Sequence, residues 1–252
     1  MFGYKADNLP FDKHCFCGSK GGVSEKQYAS LNVNLKSLDD KSKVMQNINI
    51  VSQFVDLKAE NIFIPYLVHG NKAVFVETPS LIEIKADACV TNKKNIALCV
   101  TTADCIPVLL YDEKNQVIGA SHAGWSGALL GVVDNTIDLM IEKGAELDCI
   151  NAAIGPCLQK QSFEVQEDFY IKFMAESSEN EKYFTAKETG YWMDLQGYLI
   201  DKIKRKGINN LTFTNIDTYT SCDYFSFRRN VHQGFISDVR TDLPAQASII
   251  RL

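Results

Sequence analysis

TTADCIPVLLYDEKNQVIGASHAGWSGALLG, residues 101–131, places two apolar runs in succession with only a short polar segment between them. Pro107–Tyr111 and Val117–Ser121 are each too short for an ordinary helix and have the length of a strand. The second run passes through His122 and Ala123-Gly124-Trp125-Ser126-Gly127 into Leu130, Val133, Ile137 and Met140/Ile141, a helical spacing that Gly144 is placed to stop. A strand that follows a strand with no helix between them argues for mixed sheets of an α+β fold rather than a strict β-α-β repeat.

The same pattern continues outward in both directions. Upstream, Ile62–Val68, Ala73–Val76, Ala88–Thr91 and Ile96–Thr101 are strand candidates; downstream, Ile150–Ile154 and Leu211–Phe213 join them. Between Ser37 and Lys58, Val44, Ile48, Val51 and Val55 form one helical stripe. Asp194 is placed to cap a helix carrying Leu195, Leu199 and Ile203 that ends before Gly207, and a further helix is expected over Glu164–Glu176. No repeat, linker or low-complexity segment divides the chain, so residues 1–252 are expected to form one domain.

Composition narrows the partners. The 252 residues are 46% hydrophobic and 23% charged, an ordinary soluble balance, and the formal net charge of −5 argues against a general nucleic-acid or anionic-membrane binder. Nothing resembles a signal peptide, and no run approaches the ~18 apolar residues of a membrane span, so a cytosolic protein is expected. There the eight cysteines stay mostly reduced; their scattered spacing makes neither a disulfide framework nor a paired zinc knuckle.

Three chemistry-bearing residues fall at strand ends. His122 stands where a strand meets a helix, beside amides that suit an anion or a reacting group, though a core histidine satisfied by backbone would look the same. Cys105, with Asp104, lies in the turn before Pro107, where a buried packing thiol is the alternative. His69 ends the run of LVHGNKAVFV (67–76), before the Gly70-Asn71 turn. Two of only four histidines and one cysteine at such junctions make a shared site a candidate.

The ordered blocks GGVSEKQYASLNVNL (21–35), VHG (68–70), ADACVT (86–91), TTADCIPVLLYD (101–112), SHAGWSG (121–127), GPCLQKQSFEV (155–165) and YFSFRR (224–229) resemble the laccase-domain, or multicopper polyphenol oxidase, family. Its members are associated with purine nucleoside phosphorylase activity and, in bacteria, with peptidoglycan editing. The resemblance runs from about Gly21 to Arg229 and implies a single α+β domain in which two packed mixed sheets carry helices outside, in α/β/β/α layers. It also implies a zinc-binding active site of His69, Cys105 and His122. Two imidazoles and a thiolate leave a fourth zinc position open, the pattern of a catalytic site. Purine nucleoside and phosphate are the implied partners, with adenosine deamination a further activity such a zinc site can support.

Around that set, Asp104 is a candidate to orient a ligand, or else an acidic turn residue bonding local amides. Arg228 and Arg229 are candidate phosphate ligands, with surface solvation as the alternative for either. Ser30 and Asn32 are candidates for ribose or phosphate, or turn-formers. The chain departs from the family pattern at Leu67, where glutamine is usual, at Ser126, where a basic residue is usual, in a shortened loop before YFSFRR, and at Asp238-Val239-Arg240. These departures bear on substrate and phosphate binding and leave the ligand set intact.

Other readings compete. A copper laccase needs on the order of ten histidines, and the chain has four; copper is therefore the lesser expectation beside zinc. Cys105 and His122 could form the thiolate–imidazolium pair of a hydrolase acting on cell-wall precursors. A non-catalytic metal-binding protein is the third reading. GSKGGVS (18–24) lacks the ending of a phosphate loop. In HCFC (14–17), Cys15 and Cys17 are expected to be an adventitious thiol pair, and Cys89, Cys99, Cys149 and Cys157 to pack as small hydrophobes in or beside strands.

Overall fold

A computed structural model describes residues 3–235 and 242–252. In chain order the strands are β1 (Gly3–Tyr4), β2 (His14–Cys17), β3 (Ile62–Tyr66), β4 (Ala73–Phe75), β5 (Leu81–Lys85), β6 (Ala88–Thr91), β7 (Ala97–Thr102), β8 (Ile106–Asp112), β9 (Val117–Ala123), β10 (Ile150–Ile154), β11 (Glu164–Val165), β12 (Phe184–Lys187), β13 (Gly190–Met193), β14 (Leu211–Phe213) and β15 (Gln246–Arg251). The α-helices are α1 (Lys41–Ser52), α2 (Trp125–Leu129), α3 (Val132–Glu142), α4 (Glu167–Glu176), α5 (Leu195–Arg205) and α6 (Phe227–His232).

Two six-stranded sheets carry the fold, ordered β1-β2-β15-β7-β3-β5 and β14-β10-β8-β9-β6-β4, with a small sheet β11-β13-β12 beside them. Both large sheets are mixed: β3 runs parallel to β5 and β7, while β15 is antiparallel to β7. The β8–β9 pair is the antiparallel hairpin that the quoted stretch predicts, in register from Ile106↔Ala123 to Asp112↔Val117.

Side-chain alternation explains the layering. On β8, Ile106, Val108 and Leu110 join the core under the helices, whereas Leu109 and Tyr111 face the other sheet. On β7, Leu98 and Val100 meet that inter-sheet core while Ala97 and Cys99 turn toward α1 and its Val44, Ile48 and Val51. Strands apolar on both faces must be covered on both faces, which yields the expected α+β arrangement of helices, sheet, sheet and helices.

Local chemistry sets the helix ends. Asp194 caps α5 by accepting from the Gly197 N–H at 2.7 Å, as expected. Gly144, at φ +106°, ends α3: its N–H bonds Ile141 and that of Ala145 bonds Met140. Four expectations need correction. The helix expected over Glu164–Glu176 begins only at Glu167, because Glu164 and Val165 pair with β13 as strand β11. The helix expected from Gly127 is two helices, because Gly131 at φ +82° breaks it. The helix of Ser37–Lys58 begins only at Lys41, where Asp40 accepts from Ser42 N, and ends at Ser52. Cys149 sits on a half-buried turn with its sulfur 3.7 Å from Glu146, not in strand packing. Cys15 and Cys17 are buried within β2. Asp238-Val239-Arg240 lie outside the described residues.

Candidate functional site

Three turns at neighbouring strand ends assemble the site. β7 and β8 are joined by Ala103–Cys105, with Asp104 at φ +87°. His122 is the penultimate residue of β9, paired with Pro107 of β8. His69 lies past the end of β3 at φ +59°, a left-handed conformation costing a non-glycine residue roughly 1–2 kcal/mol. Asp87 stabilises that turn: its carboxylate accepts from the N–H groups of His69 at 2.8 Å, Gly70 at 2.7 Å and Val68 at 3.3 Å.

The potential ligand atoms of His69, Cys105 and His122 all lie within 4.8 Å of one another. The two imidazoles meet edge to face, centroids 4.8 Å apart. Asp87, fully buried, also takes His122 Nδ1 on its Oδ1 at 3.0 Å, so that proton stays on Nδ1 and Nε2 is left for the cluster. Gly124 keeps the space open. A methyl there would stand 2.9 Å from His69 Nδ1 and 3.3 Å from Cys105 Sγ. Two imidazole nitrogens, one thiolate and a cradle that a single Cβ would fill suit a zinc-sized ion with one position to spare.

Charge balance tunes the same atoms. Burial pushes the Cys105 thiol up, but His122 and His69 beside it outweigh burial and bring it down to about 6. Burial pulls His122 down, while the Cys105 sulfur and the Asp87 carboxylate raise it to about 9. Burial raises Asp87, yet its bonds to His122, Gly70 and His69 leave it below the usual carboxylate range. Without an ion, each charge favours the other, so the shifts run toward Cys105 thiolate beside protonated His122.

A cavity of about 220 Å³ opens over the cluster. Its walls include Trp125, Phe163, Phe227, Lys36 and Arg228. Of the residues singled out from the sequence, His69, Cys105, His122, Asp104 and Arg228 come together here, and Ser30, Asn32 and Arg229 do not line it. Asp104 accepts from Thr218 Oγ1 and from the Arg228 N–H, both at 2.7 Å, so it anchors α6 rather than bonding a ligand of the cluster. Burial raises its pKa.

The remaining candidates bond their own loops and turns. Asn32, fully buried, donates to Ser37 Oγ and Asp39 and accepts from the N–H groups of Asn34 and Ala245. Ser30 Oγ donates to Ser19 O and accepts from Gly22 N. Arg229 spends its guanidinium on the carbonyls of Thr218, Tyr219, Ser221 and Tyr224. Leu67 lines the cavity, and Ser126 falls in α2, a helix of only five residues.

Asp87 and Lys36 were not singled out from the sequence, and Gly124 was considered there only for its backbone amide, as an aid to phosphate binding, not for the space it leaves beside the cluster. Asp87 carried one signal, a lone carboxylate in the small and apolar block ADACV (86–90). Lys36 directly follows the block ending NVNL and carried none.

The model of the family described as multi-copper polyphenol oxidoreductase laccase matches residues 13–238. A purine nucleoside phosphorylase of Rickettsia prowazekii is 34% identical over 196 residues, 77% of this chain and 80% of that protein. Another, from Deinococcus radiodurans, is 32% identical over 229 residues, covering 91% and 88%. Among solved structures, Neisseria meningitidis protein NMB0706 superposes with TM-score 0.83 at 29% identity, covering 97% of this chain and 96% of that one. The hypothetical protein YfiH of Bacillus licheniformis does so with TM-score 0.83 at 26% identity, covering 95% and 92%.

Proposed function

The chain belongs to the multi-copper polyphenol oxidoreductase laccase family, and from that membership we propose that it is a zinc-dependent purine nucleoside phosphorylase. The observation that carries the proposal is the open His69–Cys105–His122 cluster beneath a cavity walled by aromatic rings and cations. Relatives named purine nucleoside phosphorylase at 32–34% identity support the substrate class. A multicopper set does not assemble: His14 bonds Ala6 N and Pro10 O, and His232 contacts Tyr219, which leaves two histidines at the cluster. We assign residues 1–252 to one catalytic unit acting on a purine nucleoside and phosphate.

His69, Cys105 and His122 would hold the zinc ion, which would supply Lewis acidity to the site. The protein's own groups do the rest. Asp87 holds the His122 proton on Nδ1 and so keeps Nε2 directed at the cluster. Trp125, Phe163 and Phe227 offer ring faces and edges to a purine and exclude water from it. Arg228 is the candidate phosphate ligand. In the reaction a phosphate oxygen bonds C1′ of the ribose, the C1′–N9 bond breaks, and the purine takes up a proton.

Chromatography of zinc-loaded protein with adenosine in phosphate, beside Cys105→Ala, tests this. Free adenine from wild type alone supports phosphorolysis at this site, inosine assigns adenosine deamination instead, and unchanged adenosine overturns the nucleoside reading. The thiolate–imidazolium pair of the metal-free cluster favours one second reading, a Cys–His hydrolase editing peptidoglycan precursors. Hydrolysis of such precursors by chelator-treated protein would establish it.

A further inference from the structure

The loop after Asn32 delivers Lys36 to the cavity. Asn34 Nδ2 donates to Leu243 O at 2.7 Å, and Asn34 Oδ1 accepts from Lys36 N at 3.0 Å, so the Asn34 side chain ties the loop to Leu243 and holds the Lys36 backbone. Lys36 Nζ sits 4.3 Å from the Tyr66 ring centroid and donates to Leu67 O at 3.0 Å. An ammonium has three donors, and this bond uses one.

Among the described residues no carboxylate lies within the 4.0 Å ion-pair distance of Lys36 Nζ or of the Arg228 guanidinium. Lys202, also largely buried, shows the usual arrangement, with Asp134 at 3.8 Å and Glu176 at 3.6 Å. Arg228 Nη1 donates to Glu164 O, and its guanidinium stands 5.7 Å from the Phe163 ring. Asp104 is the carboxylate of the cavity wall, and Thr218 and the Arg228 N–H already occupy its oxygens. Lys36 and Arg228 are the lysine and the arginine of the cavity wall, which they share with the Asp104 carboxylate. Burial lowers the Lys36 pKa, and the charge of Asp87, beyond ion-pair distance, offsets only part of that.

Two cations with no ion pair within 4.0 Å among the described residues stand on different walls, Lys36 against the end of β3 and Arg228 against residues 163–164. We propose that Lys36 is a second anion-binding residue and, with Arg228, forms the site for inorganic phosphate. The chemistry recognised is a tetrahedral dianion, and the source assigned is the free ion rather than a phosphate ester carried on the nucleoside. The catalytic consequence rests on the phosphorolysis reading; the binding site does not.

Calorimetric titration of zinc-loaded protein with inorganic phosphate, and separately with adenosine monophosphate, at constant ionic strength tests the proposal. Wild type is expected to bind inorganic phosphate, Lys36→Met to bind it about 10-fold or more weakly, and Lys36→Arg to recover most of the loss. Zinc content measured on each variant shows that the fold and the cluster remain. In turnover, Lys36→Met is expected to raise the KM for phosphate while leaving the KM for adenosine within about 3-fold, since one charged contact to a single substrate is removed. Phosphate affinity unchanged in Lys36→Met overturns the proposal, as does a wild type that binds adenosine monophosphate but not inorganic phosphate. A wild type that binds phosphate through Lys36 yet leaves adenosine intact upholds the anion site and overturns the phosphorolysis reading alone.

Discussion

Asp87 Oδ1 lies 3.0 Å from Nδ1 of His122, and the Asp87 carboxylate also accepts the N–H groups of His69 and Gly70. One buried carboxylate therefore orients one histidine of the cluster through its ring and the other through its backbone. Such partners of metal-binding histidines set ring orientation and basicity.

Asp87→Asn should weaken zinc binding by roughly 10- to 100-fold. The amide oxygen can still accept two of the four N–H groups, but the charge that raises His122 is lost. Competition with a chromogenic chelator measures the change, and affinity equal to wild type would refute the orienting role.

Gly124→Ala should empty the cluster. Its backbone, at φ −69° and ψ 166°, is open to any residue, so the effect would come from the methyl alone, 2.9 Å from His69 Nδ1. Overpacking there is expected to cost about 1–3 kcal/mol in urea denaturation. Metal analysis should show zinc lost; a full complement of zinc would mean that the histidine moves aside freely.

Metal-free protein should show an acidic thiol. Cys105 is held down to about 6, so its thiolate persists above that pH and is lost as pH falls through it, whereas an ordinary thiol ionises only near 8.5. His122 keeps its proton up to about 9. Zinc must displace that proton, so its affinity should rise with pH between about 6 and about 9. Iodoacetamide labelling of Cys105 from pH 5 to 10, with and without zinc, tests both parts: zinc should block labelling, and a midpoint near 8.5 would exclude the pair.

Arg228 and Arg229 should separate cleanly. Arg229→Ala removes a cation from four backbone carbonyls, and a loss of about 2–4 kcal/mol in chemical denaturation is expected with zinc affinity kept. Arg228→Met should instead lower turnover in phosphate. Equal stability losses for the two would show that both are scaffolding.

Much of this was legible in the sequence because it is local. A run such as Pro107–Tyr111 is apolar at every position, so each face needs cover whatever lies beyond it, and the hairpin to Val117–Ser121 follows from the short polar turn. His69, Cys105 and His122 could be singled out because each interrupts or ends such a run. Helix ends at Asp194 and Gly144 were equally readable, since capping needs only the neighbouring residues.

What the tertiary structure alone decided is which polar group meets which. Asp87 and His122 are 35 residues apart, and Asp104 and Arg228 are 124 apart. No local pattern encodes such pairings. Adjacent Arg228 and Arg229 look alike in the sequence, yet one lines the cavity and the other bonds a turn, because successive residues of α6 point to different sides of the helix. Asn32 and Lys36 show the same division: burial claims every polar atom of the amide for the loop's own framework, whereas the lysine lines the cavity.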